Sequence, residues 1–154
     1  MKFNLFLLLL TTLITVALST TNKITGNKKI QSVGKGRFWG INGKDVSLLT
    51  SSSNDHCWEI VRRSKDEYTI FTSKDRKDAV QYDGFSSTFK IAKYNSTSLA
   101  QRWIIGSTDN VEYYILTSEK PSVAATAFLR WWGWSVSGFT YIAHNPYQKW
   151  RFLN

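Results

Sequence analysis

Rings and amides are the side chains of this chain that could do chemistry. Tyr94 and Tyr141 each stand nine residues ahead of a tryptophan, Trp103 and Trp150, where Leu49 holds the same place before Trp58. Gln81, Asp83 and Asn145 lie near them along the chain. A phenol ring can stack on the apolar C–H face of a sugar while amides or carboxylates pair its hydroxyls, which are costly to bury unpaired. The same tyrosines could instead pack a pair of strands. Arg130-Trp131-Trp132-Gly133-Trp134 is the second concentration of rings. Side chains of a strand alternate between faces, so its three tryptophans cannot all turn inward. Trp131 and Trp134 are therefore candidate contacts for a glycan, a protein or a membrane surface. The alternative is an aromatic hairpin that closes one end of the fold, and Arg37-Phe38-Trp39-Gly40 faintly echoes it.

Bond-making chemistry has little support. His56 and His144 are the only histidines and are far apart in sequence. The 11 acidic residues are scattered without metal-ligand spacing, and no glycine-rich phosphate cradle appears. The expectation is no enzyme, no cofactor and no metal.

What positions the rings is a repeat. His56-Cys57-Trp58-Glu59-Ile60, Gln101-Arg102-Trp103-Ile104-Ile105 and Gln148-Lys149-Trp150-Arg151-Phe152 place tryptophans 45 and 47 residues apart. Ten residues after Trp58 and Trp103 come Tyr68-Thr69-Ile70-Phe71 and Tyr113-Tyr114-Ile115-Leu116. A fixed period of this length marks an array of structural units. Short runs rich in β-branched and aromatic residues read as strands at 59–61, 68–71, 79–82, 89–92, 103–105, 113–116 and 141–143. Four strands per unit give an all-β fold of about twelve strands, with units near 23–62, 63–107 and 108–154. Each tryptophan shares a face with the residue two on, so both point inward, about a common threefold centre. The residue two before it (His56, Gln101, Gln148) can bond loop backbone. The first unit is the least regular: no tyrosine opens it, and Ile24 matches Ile70 and Ile115 only at an interval of 36 residues.

A Gln-x-Trp strand ending each of three units resembles the ricin-type β-trefoil lectins, over nearly all of the mature chain. The motif stands at Gln101-Arg102-Trp103 and Gln148-Lys149-Trp150, with His56-Cys57-Trp58 in the first unit. The resemblance implies a β-trefoil and a secreted, non-enzymatic carbohydrate-binding protein. Sugar-binding repeats of that family carry an aspartate in an early strand. Here Val80-Gln81-Tyr82 is the best match and puts Gln81 at that place, and Asp83 reaches it only if the register slips by two. Phe38-Trp39-Gly40 and Val123-Ala124-Ala125 are the counterparts, without an acid. The family's asparagine before Gln-x-Trp is Ala100 in the second unit and Tyr147 in the third. Two other classes stay open. The Tyr-x-Ile and Trp-x-Ile strands also look like those of trefoil protease inhibitors, with Thr50 to Asp55 or Thr117 to Ser122 as the blocking loop. A basic adhesion or coat protein that binds anionic polymers without a pocket is the other.

Met1-Lys2, the apolar run from Leu5 to Leu18 and the small-x-small Ala17-Leu18-Ser19 read as a secretory signal peptide over 1–19. An uncleaved anchor is the alternative. The domain then covers 20–154, and no other segment is long enough to span a bilayer. The formal net charge of +9 becomes +8 without Lys2 and favours anionic glycans or glycoproteins rather than any specific nucleic acid. Cys57, the single cysteine, is either a small buried side chain or a link to another molecule. Asn95-Ser96-Thr97 is an N-glycosylation acceptor, and a glycan there would crowd a ligand on Tyr94.

Overall fold

Trp58, Trp103 and Trp150 open three equivalent strands in the computed structural model, which describes residues 24–50, 57–107 and 109–154. The expected signal segment and His56 lie outside those residues. Six strands, β1 (Gly26–Ser32), β4 (Trp58–Arg62), β5 (Glu67–Phe71), β8 (Trp103–Ser107), β9 (Tyr113–Thr117) and β12 (Trp150–Leu153), form an antiparallel barrel. Its ladders run β1–β4, β4–β5, β5–β8, β8–β9, β9–β12 and back from β12 to β1. Closure leaves the barrel strands no free edge at which another chain could pair. The other six strands make three hairpins: β2 (Phe38–Asn42) with β3 (Asp45–Leu49), β6 (Asp78–Gln81) with β7 (Lys90–Lys93), and β10 (Val123–Arg130) with β11 (Gly133–Thr140). β3 joins both other hairpins, so the three form one cap. Twelve strands in three four-stranded units make a β-trefoil.

The register fixes the units. Tyr68 lies opposite Trp103 and Tyr113 opposite Trp150, and Lys28 occupies the same place opposite Trp58. The first unit's counterpart of Ile70 and Ile115 is therefore Ile30, not Ile24; all three are fully buried. Counting back from Trp58 fails because this unit is five residues shorter between the two landmarks than the second. Lys28 replaces the tyrosine by laying its stem against the barrel and donating from Nζ to Asn154 Oδ1 at 2.6 Å.

Each indole anchors the cap to the barrel. Trp58, Trp103 and Trp150 donate from Nε1 to the carbonyls of Trp39, Val80 and Ala125, each at 3.2 Å. All three indoles are at most 1% exposed, and burying each contributes about 3 kcal/mol. Trp39 and Phe89 fill the space between them. Trp39 meets Trp58 and Trp150 edge-on at 6.0 and 5.2 Å, and Phe89 lies 4.8 Å from Trp103. Ile60, Ile105 and Phe152, two residues beyond each anchor, are buried as the strand alternation requires.

Two expected placements change. Gln101 and Gln148 sit not on strands but in single 3-10 turns, Leu99–Gln101 and Pro146–Gln148. Residues 141–143 are not a strand: β11 ends at Thr140, because Gln148 Oε1 accepts the Ile142 N–H at 2.7 Å and draws the chain out of the ladder. Gln101 does the same to the Asn95 N–H at 2.8 Å. The third hairpin is the long one. Its strands have eight residues each, against four or five in the other two.

Candidate functional site

The long hairpin walls a cleft of about 510 Å³ in the third unit. Phe128, Leu129, Trp134 and Phe139 face it from β10 and β11, and Phe85 reaches in from the loop after β6. The segment Ile142 to Gln148 closes the far side with Asn145 and Tyr147, and Thr126 lies at the inner end. Trp134 and Tyr147 are nearly parallel, 26° between planes and 6.4 Å between centroids. Lys35 Nζ sits over both rings, 4.3 and 5.0 Å from their centres. Tyr147 is held against Gly34, whose N–H donates to the Pro146 carbonyl at 3.1 Å. A Cβ on Gly34 would come within 2.9 Å of the Tyr147 ring and 3.0 Å of that carbonyl, so a larger residue would push the turn away.

The polar groups divide into spent and free. Gln148 Nε2 donates to Thr126 Oγ1 at 3.0 Å and to the Thr140 carbonyl at 2.8 Å. Thr126 Oγ1 in turn donates to the Ala124 carbonyl at 3.1 Å. Asn145 Oδ1 accepts from the Tyr147 N–H at 3.0 Å, while its amide NH₂ makes no hydrogen bond among the described residues. The cleft therefore offers an aromatic wall and a free amide donor, with no carboxylate among its lining residues.

The candidates named from sequence separate across the molecule. Trp134 and Asn145 come together in this cleft. Gln81 occupies the second unit's counterpart of Thr126, accepting from Gln101 Nε2 at 3.1 Å. The indole bonds set that correspondence and correct the other two units. The residue after the bonded carbonyl is Gly40 in the first and Thr126 in the third, where the motif alignment gave Trp39 and Ala124. Asp83 is exposed, two residues past Gln81. Tyr94 packs edge-on against Phe71 at 4.9 Å beneath the Arg63 guanidinium, 5.0 Å away. The ring also lines a polar recess of about 250 Å³ with Glu67, Asn95 and Arg102. Tyr141 lies 5.4 Å from Tyr114 and lines a smaller cleft of about 140 Å³ with Glu112, His144 and Lys149. Hydrogen bonds from Lys149 and then Arg151 hold the Glu112 carboxyl below the ordinary glutamate value. Trp131 stands 92% exposed at the hairpin turn, outside both clefts.

Sequence reasoning passed over Thr126, Phe128, Tyr147 and Lys35. Tyr147 carried a signal, since it stands directly before the Gln-x-Trp glutamine. Lys35 carried none, because 112 residues separate it from Tyr147. Asn95 is exposed, and its Oδ1 accepts from the Thr97 N–H and hydroxyl. Of the two loops considered for protease blocking, only Thr50 of the first is described. The second is a tight connection between β9 and β10 in which Val123 N–H bonds the Lys120 carbonyl. Cys57 is half-buried just before β4. Among the described residues no three His, Cys, Asp or Glu side chains gather as metal ligands, and no helix is long and apolar enough to cross a membrane.

The sequence matches no protein-family model and no curated protein. Solved structures resemble it in shape. ThreeFoil, a designed threefold-symmetric protein, superposes with a TM-score of 0.73 at 15% identity, over 84% of this chain and 99% of its own. SeviL bound to asialo-GM1 saccharide gives 0.67 at 17% identity, over 84% and 98%. A Polyporus squamosus lectin bound to a human-type influenza-binding epitope gives 0.65 at 22% identity, over 83% of this chain and 48% of its own, so the match spans about half of that lectin. At these identities the likeness is one of fold, and the fold of this chain is the β-trefoil.

Proposed function

We propose that this protein is a secreted, non-enzymatic, lectin-like carbohydrate-binding protein whose glycan lies in the third-unit cleft. The observation that carries the reading is the pairing of the Trp134–Tyr147 wall with the unspent Asn145 amide. A sugar ring stacks its C–H face on that wall while Asn145 donates to a hydroxyl or carbonyl oxygen. SeviL and the Polyporus lectin, alike in fold, are both bound to saccharides, which supports the reading. Thr126 stands where the resembled family uses an acid, so the cleft lacks a charged acceptor for two hydroxyls. It is suited to a sugar bearing an apolar or acetamido substituent, because hydroxyls left unpaired among Phe128, Phe139 and Leu129 are penalised. The chain's positive charge adds preference for anionic glycans. Residues 1–19 serve as the signal for export, and Asn95 carries an N-linked glycan in this reading.

A glycan array run at physiological and at high salt tests it. Capture that persists at high salt and falls at least tenfold in Trp134→Ala and Asn145→Ala is the expected result; Tyr94→Ala should capture as the parent does. Capture that vanishes with salt would leave charge alone as the cause, since exposed charges are screened over about 8 Å. Capture untouched by both cleft substitutions would remove the site.

A further inference from the structure

Trp131 has no structural task in the fold. It stands 92% exposed, meets only Trp132 edge-on at 5.2 Å, and shares the hairpin end with Leu129 at 58% and Trp132 at 47% exposure. The two-residue turn between β10 and β11 holds these side chains out on the longest ladder of the cap, so the apolar tip is preformed. Counted from the three bonded carbonyls, β10 runs five residues past Ala125, against three past Trp39 in β2 and one past Val80 in β6. Large side chains gathered at one projecting point mark a contact surface.

The surrounding charge indicates what it contacts. Two cations lie on the aromatic rings near the tip: Lys35 over Trp134 at 4.3 Å, and Arg130 over Trp132 at 5.9 Å, its Nη2 also donating to the Ser86 carbonyl and the Ser137 hydroxyl. Neither forms an ion pair among the described residues. Elsewhere the basic side chains Arg76, Lys90, Lys149 and Arg151 are matched to carboxylates at 3.0 Å or less. Other cations, among them Lys29, Lys44 and Lys74, are also without an ion pair among the described residues; what sets the tip apart is that its cations lie beside exposed indoles.

We infer that the β10–β11 tip docks on an anionic lipid bilayer, seating Trp131 and Trp132 at the headgroup level. Indole is the side chain best suited to that layer, having an apolar body and one N–H for the wet side. Lysine and arginine around it are drawn to anionic headgroups. A second protein is the poorer fit, because a hairpin end is convex and narrow, while a stable interface needs about 800 Å² from each partner. The inference is independent of glycan binding. It also gives the cleft an orientation, because Phe128 and Leu129 belong to both, so a ligand carried on the same membrane would meet the cleft from the side that docks.

The test is co-sedimentation of the secreted full-length product with vesicles of phosphatidylcholine alone and of phosphatidylcholine with phosphatidylserine, neither containing glycolipid. The expected result is pelleting with the anionic vesicles, a blue shift of tryptophan emission, and quenching by brominated acyl chains. Trp131→Ser with Trp132→Ser should weaken vesicle binding at least tenfold while leaving glycan capture unchanged. Trp131→Ser alone, at a position free of packing, checks the result should the double variant fold poorly. Asn145→Ala should bind vesicles as the parent does. A parent protein that stays in the supernatant with both vesicle types overturns the inference, as does a tip variant that binds undiminished. Self-association that the tip substitutions abolish, without vesicle binding, would give the surface to a second copy of the chain instead. A parent protein that captures no glycan yet binds the anionic vesicles would count only against the glycan reading.

Discussion

Trp39 and Trp103 are both fully buried indoles, but their nitrogens differ. Trp103 Nε1 bonds the Val80 carbonyl at 3.2 Å, whereas Trp39 Nε1 has no partner. Replacing Trp103 by phenylalanine removes ring volume and also strands a buried carbonyl; replacing Trp39 removes ring volume and relieves an unsatisfied donor. The first substitution should destabilise the protein more than the second by about 1–3 kcal/mol. Chemical denaturation of the two variants side by side measures that difference, and equal losses would refute the assigned role of the indole bonds. At this scale the three anchors could be read from sequence because their spacing repeats. Trp39 could not, since its place in the other units is held by Val80 and Ala125 and no spacing connects such unlike residues. Nor could Lys35, which reaches the cleft only through the closure of β1 on β12.

Between elements, Glu112 ties β9 to β12 by accepting from Lys149 Nζ at 3.0 Å and Arg151 Nη2 at 2.9 Å. These bonds favour the charged carboxylate, so its folded value lies below that of the unfolded chain. A lowered acid contributes stability that is present above the ordinary glutamate value near 4.5 and is lost as the pH falls through the folded value. Glu112→Gln should therefore melt below the parent at neutral pH and converge with it as the pH falls through the folded value. A gap that stays constant over that range would mean the carboxylate's charge is not what joins the strands. Element boundaries were only partly legible. Alternation located most barrel strands within a residue or two, yet it gave a strand at 141–143, where a side chain two turns of sequence away captures the backbone instead. No local pattern encodes that competition. The first unit's offset was hidden for a related reason, since Lys28 carries none of the tyrosine's sequence identity while filling its place in the ladder.

Over the whole molecule, threefold regularity builds the barrel, and departures from it build the third-unit cleft and the exposed hairpin tip. The Gln-x-Trp and Tyr-x-Ile landmarks give the second and third units' share of the six-stranded ring, while β1 of the first unit emerges only from its ladders with β4 and β12. The third unit breaks the pattern with eight-residue hairpin strands, Thr126 where the second unit has Gln81, and Tyr147 before the glutamine. Each change is local in sequence, but the cleft also takes Phe85 from the second unit, and Lys35 of the first lies on its Trp134 and Tyr147 rings. Trp134 and Asn145 were recognisable as candidates by residue type; their meeting required the fold. The most direct test is a crystal of the protein soaked with the strongest glycan from the array. The account predicts one sugar per chain, its apolar face on Trp134 and an oxygen accepting from Asn145. A sugar seated instead at Tyr94 or Tyr141, or three equivalent sugars around the axis, would contradict it.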